Sequence, residues 1–419
     1  MTRARTTVRG RAPLARDSQQ WVLDYLIQET GKVFHFQGDG RGRLPKSVRS
    51  HDMISKHLGL AARRLEQLAK AEADAGHGET ALDFYFQATV QYAGAQHVIF
   101  ENSDEKRYLY AGVQRCYEQV IALAPYRIEH VDIPWNGTLV SGNLHLCPGR
   151  ASGPLVFYIP GCDTLKEAWP HPFFNAAHQR GLHVFSFDGP GHAESNLRGI
   201  RLTADNFEDA ASAALDHLLT RPEIDANQIG VYSISLGSFW GLRFAARDRR
   251  IRAIAAPAAS CAEKYFLMDL ESPRWKQLFA YLTQSKTESE LDNVMSAMTL
   301  DGYMAKIGCP TLLAVGEYDP RGPLDEIYRM FDQLTAPGEL WVFADQHHMP
   351  SIGAGDSAGG NWAAPLHGAM VDWLRDRFAG KPLRHPGQAL YVEANSAGPN
   401  SATVTLKRKW YESHAGEPR

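Results

Sequence analysis

The sequence predicts an α/β protein: a mixed, mostly parallel eight-stranded sheet with helices on both faces, preceded by a helical region. Three observations carry this prediction. After residue 125, short apolar runs alternate with helix-length stretches, the pattern of parallel strands joined by crossovers. Those runs are apolar throughout rather than alternating, as expected of strands buried on both faces. Before them, residues 17–125 repeat apolar side chains at three- and four-residue spacing.

Taken in order, residues 1–16 carry Arg3, Arg5, Arg9, Arg11 and Arg16 with no acid, and read as a disordered tail. They have no apolar centre of the kind a secretory signal needs. Trp21, Leu23, Tyr25 and Leu26 open the helical region 17–125, followed by helices predicted over 54–73, 79–100 and 103–124. Asp104 and Glu105 suit the start of the last of these, and Pro125 its end. Residues 127–135 and 138–147 alternate around Asn136-Gly137, a hairpin signal. Strands follow at 155–159, 183–187, 228–233, 251–256, 311–315 and 340–343, within a domain spanning 126–384. Residues 260–304 exceed what a crossover needs and suggest a lid insertion. The stretch 385–419 is read as a tail, with one strand-like run at 402–410.

Bulk properties narrow the function. A chain of 419 residues with net charge −3, 44% hydrophobic and 22% charged, has material for a large core and no basic field for nucleic acid or an anionic membrane. Five cysteines without a C-x-x-C pair argue against a disulfide framework or a zinc ribbon and fit a reducing cytoplasm. No run approaches the roughly 18 apolar residues of a membrane span. No cofactor and no metal are expected. The expected partner is a small-molecule substrate, with homodimerisation left open.

Residues 231–237 read Val-Tyr-Ser-Ile-Ser-Leu-Gly, a strand running into a tight turn. The turn resembles the nucleophile elbow G-x-S-x-G, with Ser233 in place of the first glycine. An activated serine needs a histidine to take its proton and a carboxylate to orient that histidine. In α/β-hydrolase sheets these follow in the order Ser, Asp/Glu, His, each past a strand end. Asp319 follows the strand at 311–315 and His348 the strand at 340–343, so Ser235, Asp319 and His348 are the expected catalytic residues. His347 is the alternative base, Asp345 the runner-up acid and Ser233 the alternative nucleophile. The amides of Leu236 and Cys162 are the candidate oxyanion hole, beside Gly161. Trp240 and Tyr85 are candidates for the substrate wall. Asp188 and His192 are candidates for extra catalysts or metal ligands, but Gly189-Pro190-Gly191 favours a turn that the aspartate stabilises.

Two loops carry a resemblance. Gly161-Cys162-Asp163-Thr164-Leu165-Lys166-Glu167 is similar to a G-G-x-[DE]-[ST]-x-K-E loop, and Asp188-Gly189-Pro190-Gly191-His192-Ala193-Glu194-Ser195 to D-G-P-G-x-G-E-S, with Ala193 in place of its second glycine. Together with the helical N-terminal region, they resemble the 2,6-dihydroxypseudooxynicotine hydrolase family, whose relatives include fungal polyketide-shortening hydrolases and FrsA-like esterases. The resemblance implies a helical cap over a Ser-Asp-His site and cleavage of an ester or of a carbon–carbon bond next to a ketone. It also implies an extra pocket carboxylate in some members, for which Glu263 is a guess. The expected function is a serine hydrolase acting on an ester, a thioester or a ketone-adjacent C–C bond of a small, aromatic or polyketide-like substrate. The alternatives are an acyltransferase on the same triad and a non-catalytic ligand-binding protein.

Overall fold

The computed structural model describes residues 48–392, apart from 262, 270, 272, 345, 349 and 351–363, together with the paired dipeptides Lys32–Val33 and Leu44–Pro45. The expected tail at 1–16, the stretch opened by Trp21, the run at 402–410 and Asp345 lie outside the described residues.

Three helices come first: α1 (His51–Asp74), α2 (Gly78–His97) and α3 (Asp104–Leu123). Ser103 caps α3 by accepting from the Lys106 amide, and Asp104 and Glu105 sit in its positive first turn. Small residues Ala62, Ala69, Ala81 and Ala88 let the helices approach, and Leu82, Tyr92, Val113 and Val120 fill the space between them. The same cluster takes in Leu165 and Ala193. The helical region therefore rests on the two signature loops rather than standing apart.

A nine-stranded sheet follows. It comprises β1 (Ile128–Trp135), β2 (Thr138–His145), β3 (Gly153–Ile159), β4 (His183–Asp188), β5 (Ile224–Ser233), β6 (Ile251–Pro257), β7 (Thr311–Gly316), β8 (Gly338–Phe343) and β9 (Gln388–Val392). Their order in space is β9-β8-β7-β6-β5-β3-β4-β2-β1, parallel from β9 to β4. β2 runs antiparallel to both β4 and β1. The β1–β2 hairpin turns on Asn136 (φ 47°) and Gly137 (φ 75°), the left-handed pair that a two-residue hairpin requires. Eight strands were expected. The ninth, β9, falls in the stretch read as tail and extends the sheet in register with β8 (Leu340↔Ala389).

The crossover helices α4 (Ala193–Leu197), α5 (Asn206–Leu218), α6 (Leu236–Arg247), α9 (Leu324–Phe331) and α10 (Ala364–Phe378) cover the sheet. Each face packs a separate apolar cluster. Between β6 and β7, the 260–304 stretch forms a π-turn (Tyr265–Asp269), α7 (Pro273–Thr283) and α8 (Glu288–Ala297). Trp275, Leu278, Phe279 and Leu282 join the main core. The other side of α7 meets the N-terminal helices. Tyr281 donates to Asn102 Oδ1 at 2.8 Å and stacks under the Lys106 ammonium at 4.3 Å, while Arg274 Nη2 lies 2.7 Å from His97 Nε2.

Candidate active site

β5 ends at Ser233, and α6 starts at Leu236, leaving Ile234 and Ser235 to reverse the chain. Ser235 takes φ 58°, ψ −130°, left-handed backbone that a non-glycine residue adopts only under constraint. The constraint comes from both sides: the Ile234 amide bonds Ile159 O and the Ser235 amide bonds Pro257 O. Helix and β3 then pass so closely that a Cβ on Gly237 would stand 2.9 Å from the Pro160 carbonyl carbon.

The missing first glycine has a partner elsewhere. Ser233 points at Gly241, one turn into α6, where a Cβ would fall 2.6 Å from Ser233 Cβ. The side chain that the elbow usually lacks on the strand is thus accommodated by a glycine on the helix. Ser233 Oγ is buried without a partner among the described residues, facing the helix and not a histidine.

The other two groups arrive from β7 and β8. Past β7 the Glu317 amide bonds Phe343 O and the Tyr318 amide bonds Gln346 O, so the two loops are stitched together. Gly316 permits the contact, since a Cβ there would sit 2.5 Å from Gln346 O. The stitching brings Asp319 Oδ2 and Oδ1 to 2.8 and 2.9 Å from His348 Nδ1. A carboxylate only accepts, so Nδ1 carries the hydrogen. Nε2, 2.6 Å from Ser235 Oγ, is left as the acceptor for the serine hydroxyl. Asp319 Oδ1 also accepts from the Arg321 amide at 2.9 Å. All three side chains are buried, Ser235 being the most open at 8%.

The alternatives separate. His347 is exposed, with Nδ1 3.4 Å from Tyr318 O, and does not join the chain of hydrogen bonds. Gly161 lies against Ser235, its Cβ position 3.1 Å from Ser235 Cβ, so Cys162 follows directly on the loop that flanks the serine. Leu236 opens α6, and its amide is among those a helix leaves without an internal acceptor. Trp240 is 1% exposed, stacked on Phe207 at 4.3 Å and edge-on to His192 at 4.8 Å. Tyr85 is buried in the cluster that packs the helical bundle. Burial raises its pKa, and its charged neighbours Lys70, Glu66 and Asp74 all come from α1. Glu263 pairs with Arg329 at 2.8 Å and is held there.

With this geometry in hand, comparison with known proteins is decisive: the family model described as esterase FrsA-like matches residues 61–272. The chain belongs to the FrsA-like esterase family. The hydrolase LUC6 of a Fusarium species is 26% identical over 409 residues, covering 84% of this chain and 93% of that protein. The 2,6-dihydropseudooxynicotine hydrolase of Paenarthrobacter nicotinovorans is 26% identical, covering 77% of this chain and 84% of its own length. A crystal structure of the 2,6-dihydroxy-pseudo-oxynicotine hydrolase superposes with a TM-score of 0.68 at 25% identity, over 82% of this chain and 93% of that one. The family member described here is a hydrolase with the α/β-hydrolase fold. Among the described residues, no helix is long and apolar enough to cross a membrane.

Lys166, Glu167, Asp188 and Glu194 of the two signature loops, of which the sequence suggested a role for Asp188 alone, form one buried cluster. Lys166 Nζ lies 2.9 Å from Glu167, 3.3 Å from Asp188, 2.8 Å from Glu194 and 3.2 Å from the Tyr110 hydroxyl of α3. Burial opposes the lysine's charge, but the surrounding carboxylates outweigh it and hold its pKa well above the usual range. Burial pushes Glu167 and Asp188 up against the pull of Lys166. Asp188 also accepts from the Lys166 amide at 2.9 Å. It therefore ties the two loops together, where a local turn-stabilising role had been expected. The sequence signal was present: five charged residues, Asp163, Lys166, Glu167, Asp188 and Glu194, within two short loops that follow buried strands. His130, Asp132 and Glu194 come close enough to hold a cation, but Arg198 already donates to both carboxylates at 2.8 and 2.7 Å.

Proposed function

We propose that the chain is a serine hydrolase that works through an acyl-enzyme, with Ser235 as nucleophile, His348 as base and Asp319 as orienting acid. The single observation that carries this reading is the continuous hydrogen-bonded chain from Ser235 Oγ through both ring nitrogens of His348 to Asp319. Ser235 Oγ attacks a carbonyl carbon as His348 Nε2 takes its proton, and Asp319 stabilises the imidazolium. The amides of Leu236 and Cys162 hold the tetrahedral oxyanion. Collapse expels the leaving group, which takes the proton from His348. Water, deprotonated by the same histidine, then releases the acid and restores the serine.

The leaving group is an alkoxide, a thiolate or the stabilised carbanion of a β-dicarbonyl. The relatives' names favour a small organic substrate: one acts on 2,6-dihydropseudooxynicotine and another is a 20-hydroxy-prefusarin hydrolase. A panel of p-nitrophenyl esters, acyl thioesters and β-diketones, run on the wild type and Ser235→Ala, tests the proposal. A loss of at least ~10³-fold in the variant is expected, as for removal of a nucleophile. Equal activity in both proteins rejects it. Adding alcohols or amines and finding ester or amide products in place of acid would convert the assignment to an acyltransferase.

A further inference from the structure

His192, in the loop after β4, has no part in the chemistry above, yet it is one of the least comfortable side chains in the molecule. It is 2% exposed, and neither ring nitrogen has a hydrogen-bond partner among the described residues. Leaving a buried donor and acceptor unmade forfeits the hydrogen bonds that water would give each of them. The ring is fixed nonetheless. Its backbone amide bonds Gly189 O, its carbonyl receives the Asn196 amide, and Trp240 and Phe207 meet it edge to face at 4.8 and 5.9 Å. A bulky aromatic cage holds two unanswered polar atoms in one orientation.

Its position in the sheet says where a partner would come from. β5, β3 and β4 are neighbours in that order, and their carboxyl ends carry Ser235, the Gly161–Cys162 loop and His192 respectively. Neighbouring strands lie about 4.8 Å apart. A substrate whose scissile carbonyl sits between Ser235 and the Cys162 amide has the β4 loop beside it, one strand further along the same sheet edge. The Asp163 carboxylate on the β3 loop, two residues past Gly161, is close enough for its charge to act on the His192 ring.

Resting on the hydrolase reading above, we infer that His192 is a specificity-determining residue that hydrogen-bonds a second oxygen of the substrate, a carbonyl or enolic hydroxyl β to the carbonyl that Ser235 attacks. Burial depresses the imidazole to about 4, so at neutral pH the ring is uncharged, with one N–H to donate and one nitrogen to accept. That pair matches the enol form of a β-dicarbonyl, which offers one hydroxyl and one carbonyl. A simple ester has no group to place there.

Binding without turnover tests this. Calorimetric titration of Ser235→Ala protein with 1-phenyl-1,3-butanedione and with 1-phenyl-1-butanone, which lacks the second oxygen, gives a ratio of dissociation constants. A site built to hydrogen-bond a group rejects the analogue without it. The diketone is expected to bind at least ~10-fold tighter, the fold-change of one satisfied buried group. Adding His192→Phe, which keeps the ring volume, should bring the ratio to within ~3-fold, and His192→Gln should restore part of it. A ratio unchanged by His192→Phe overturns the inference, as does equal or unmeasurable binding of the two ketones to the Ser235→Ala protein. Because no catalysis is read, failure of the nucleophile assignment would appear separately, in the ester panel.

Discussion

Gly241→Ala is the most revealing substitution that the elbow offers. In an ordinary helix interior, alanine in place of glycine stabilises by up to ~1 kcal/mol. Here the new methyl would arrive 2.6 Å from Ser233 Cβ and 3.2 Å from Val231 Cγ1. Ser233 Cβ is one bond from the β5 backbone, so it cannot swing aside, and α6 must move away from the strand instead. Overpacking of this kind costs typically ~1–3 kcal/mol, leaving a net loss of up to about 2 kcal/mol after the propensity gain. The displaced helix also carries the Leu236 amide, so activity should fall by more than stability alone explains. Ser233→Gly by itself should be nearly neutral, since glycine weakens a strand by ~0.5–1 kcal/mol but an unpartnered buried hydroxyl is removed with it. The double variant restores the ordinary elbow spacing and should recover both properties. Guanidinium unfolding and kcat/KM on a p-nitrophenyl ester, measured on the four proteins, give the coupling, expected at about 2 kcal/mol. Additive effects of the two substitutions would refute the idea that Gly241 accommodates Ser233.

Three further outcomes follow from the same structure. Lys166→Met removes the cation shared by Glu167, Asp188 and Glu194 and should cost ~3–5 kcal/mol in guanidinium unfolding; a change below ~1 kcal/mol would mean the cluster does not hold the loops. Gly316→Ala would press a methyl against the loop bearing His348, and a displacement of about 1 Å there should lower kcat/KM ~10²-fold while the circular dichroism spectrum stays native; unchanged activity would contradict the stitching of the β7 and β8 loops. His178 is depressed by burial to about 4, so the unfolded chain binds its proton first, and the stabilisation from the neutral ring is lost as pH falls from about 6.5 toward 4. At pH 5 that amounts to ~2 kcal/mol, so His178→Gln should shrink the drop in unfolding free energy between pH 7 and pH 5 by about that much, and an equal drop in both proteins would be contrary evidence.

Much of this architecture was legible because local chemistry and global fold agree. Ser103 with two acids behind it marks the start of α3, and Asn136-Gly137 marks the hairpin turn. The order Ser, Asp, His past three strand ends located the residues that now lie in hydrogen-bonding distance. Where the reading stopped short, the reason is spatial. His347 and His348 are adjacent on an irregular loop, where no alternation pattern decides which one faces inward. Gln388–Val392 is a five-residue run next to Pro386 and Gly387, too short to separate from a tail until β8 pairs with it. Tyr85 and Trp240 obey helical spacing, which puts aromatics into cores as readily as into pockets. The roles of Lys166, Asp188 and Glu194 depend on two loops meeting under α3, and Ser233 makes sense only beside a glycine one turn into the next helix.

The account rests most heavily on the reacting group being the hydroxyl at position 235, with the inner histidine as its base. Peptide mapping by mass spectrometry after treatment with an aryl fluorophosphonate tests that directly. The adduct is expected on Ser235 alone, to be absent from Ser235→Ala, to form far more slowly in His348→Ala and to form at an unchanged rate in His347→Ala. An adduct on Ser233, or labelling slowed equally by either histidine substitution, would contradict it.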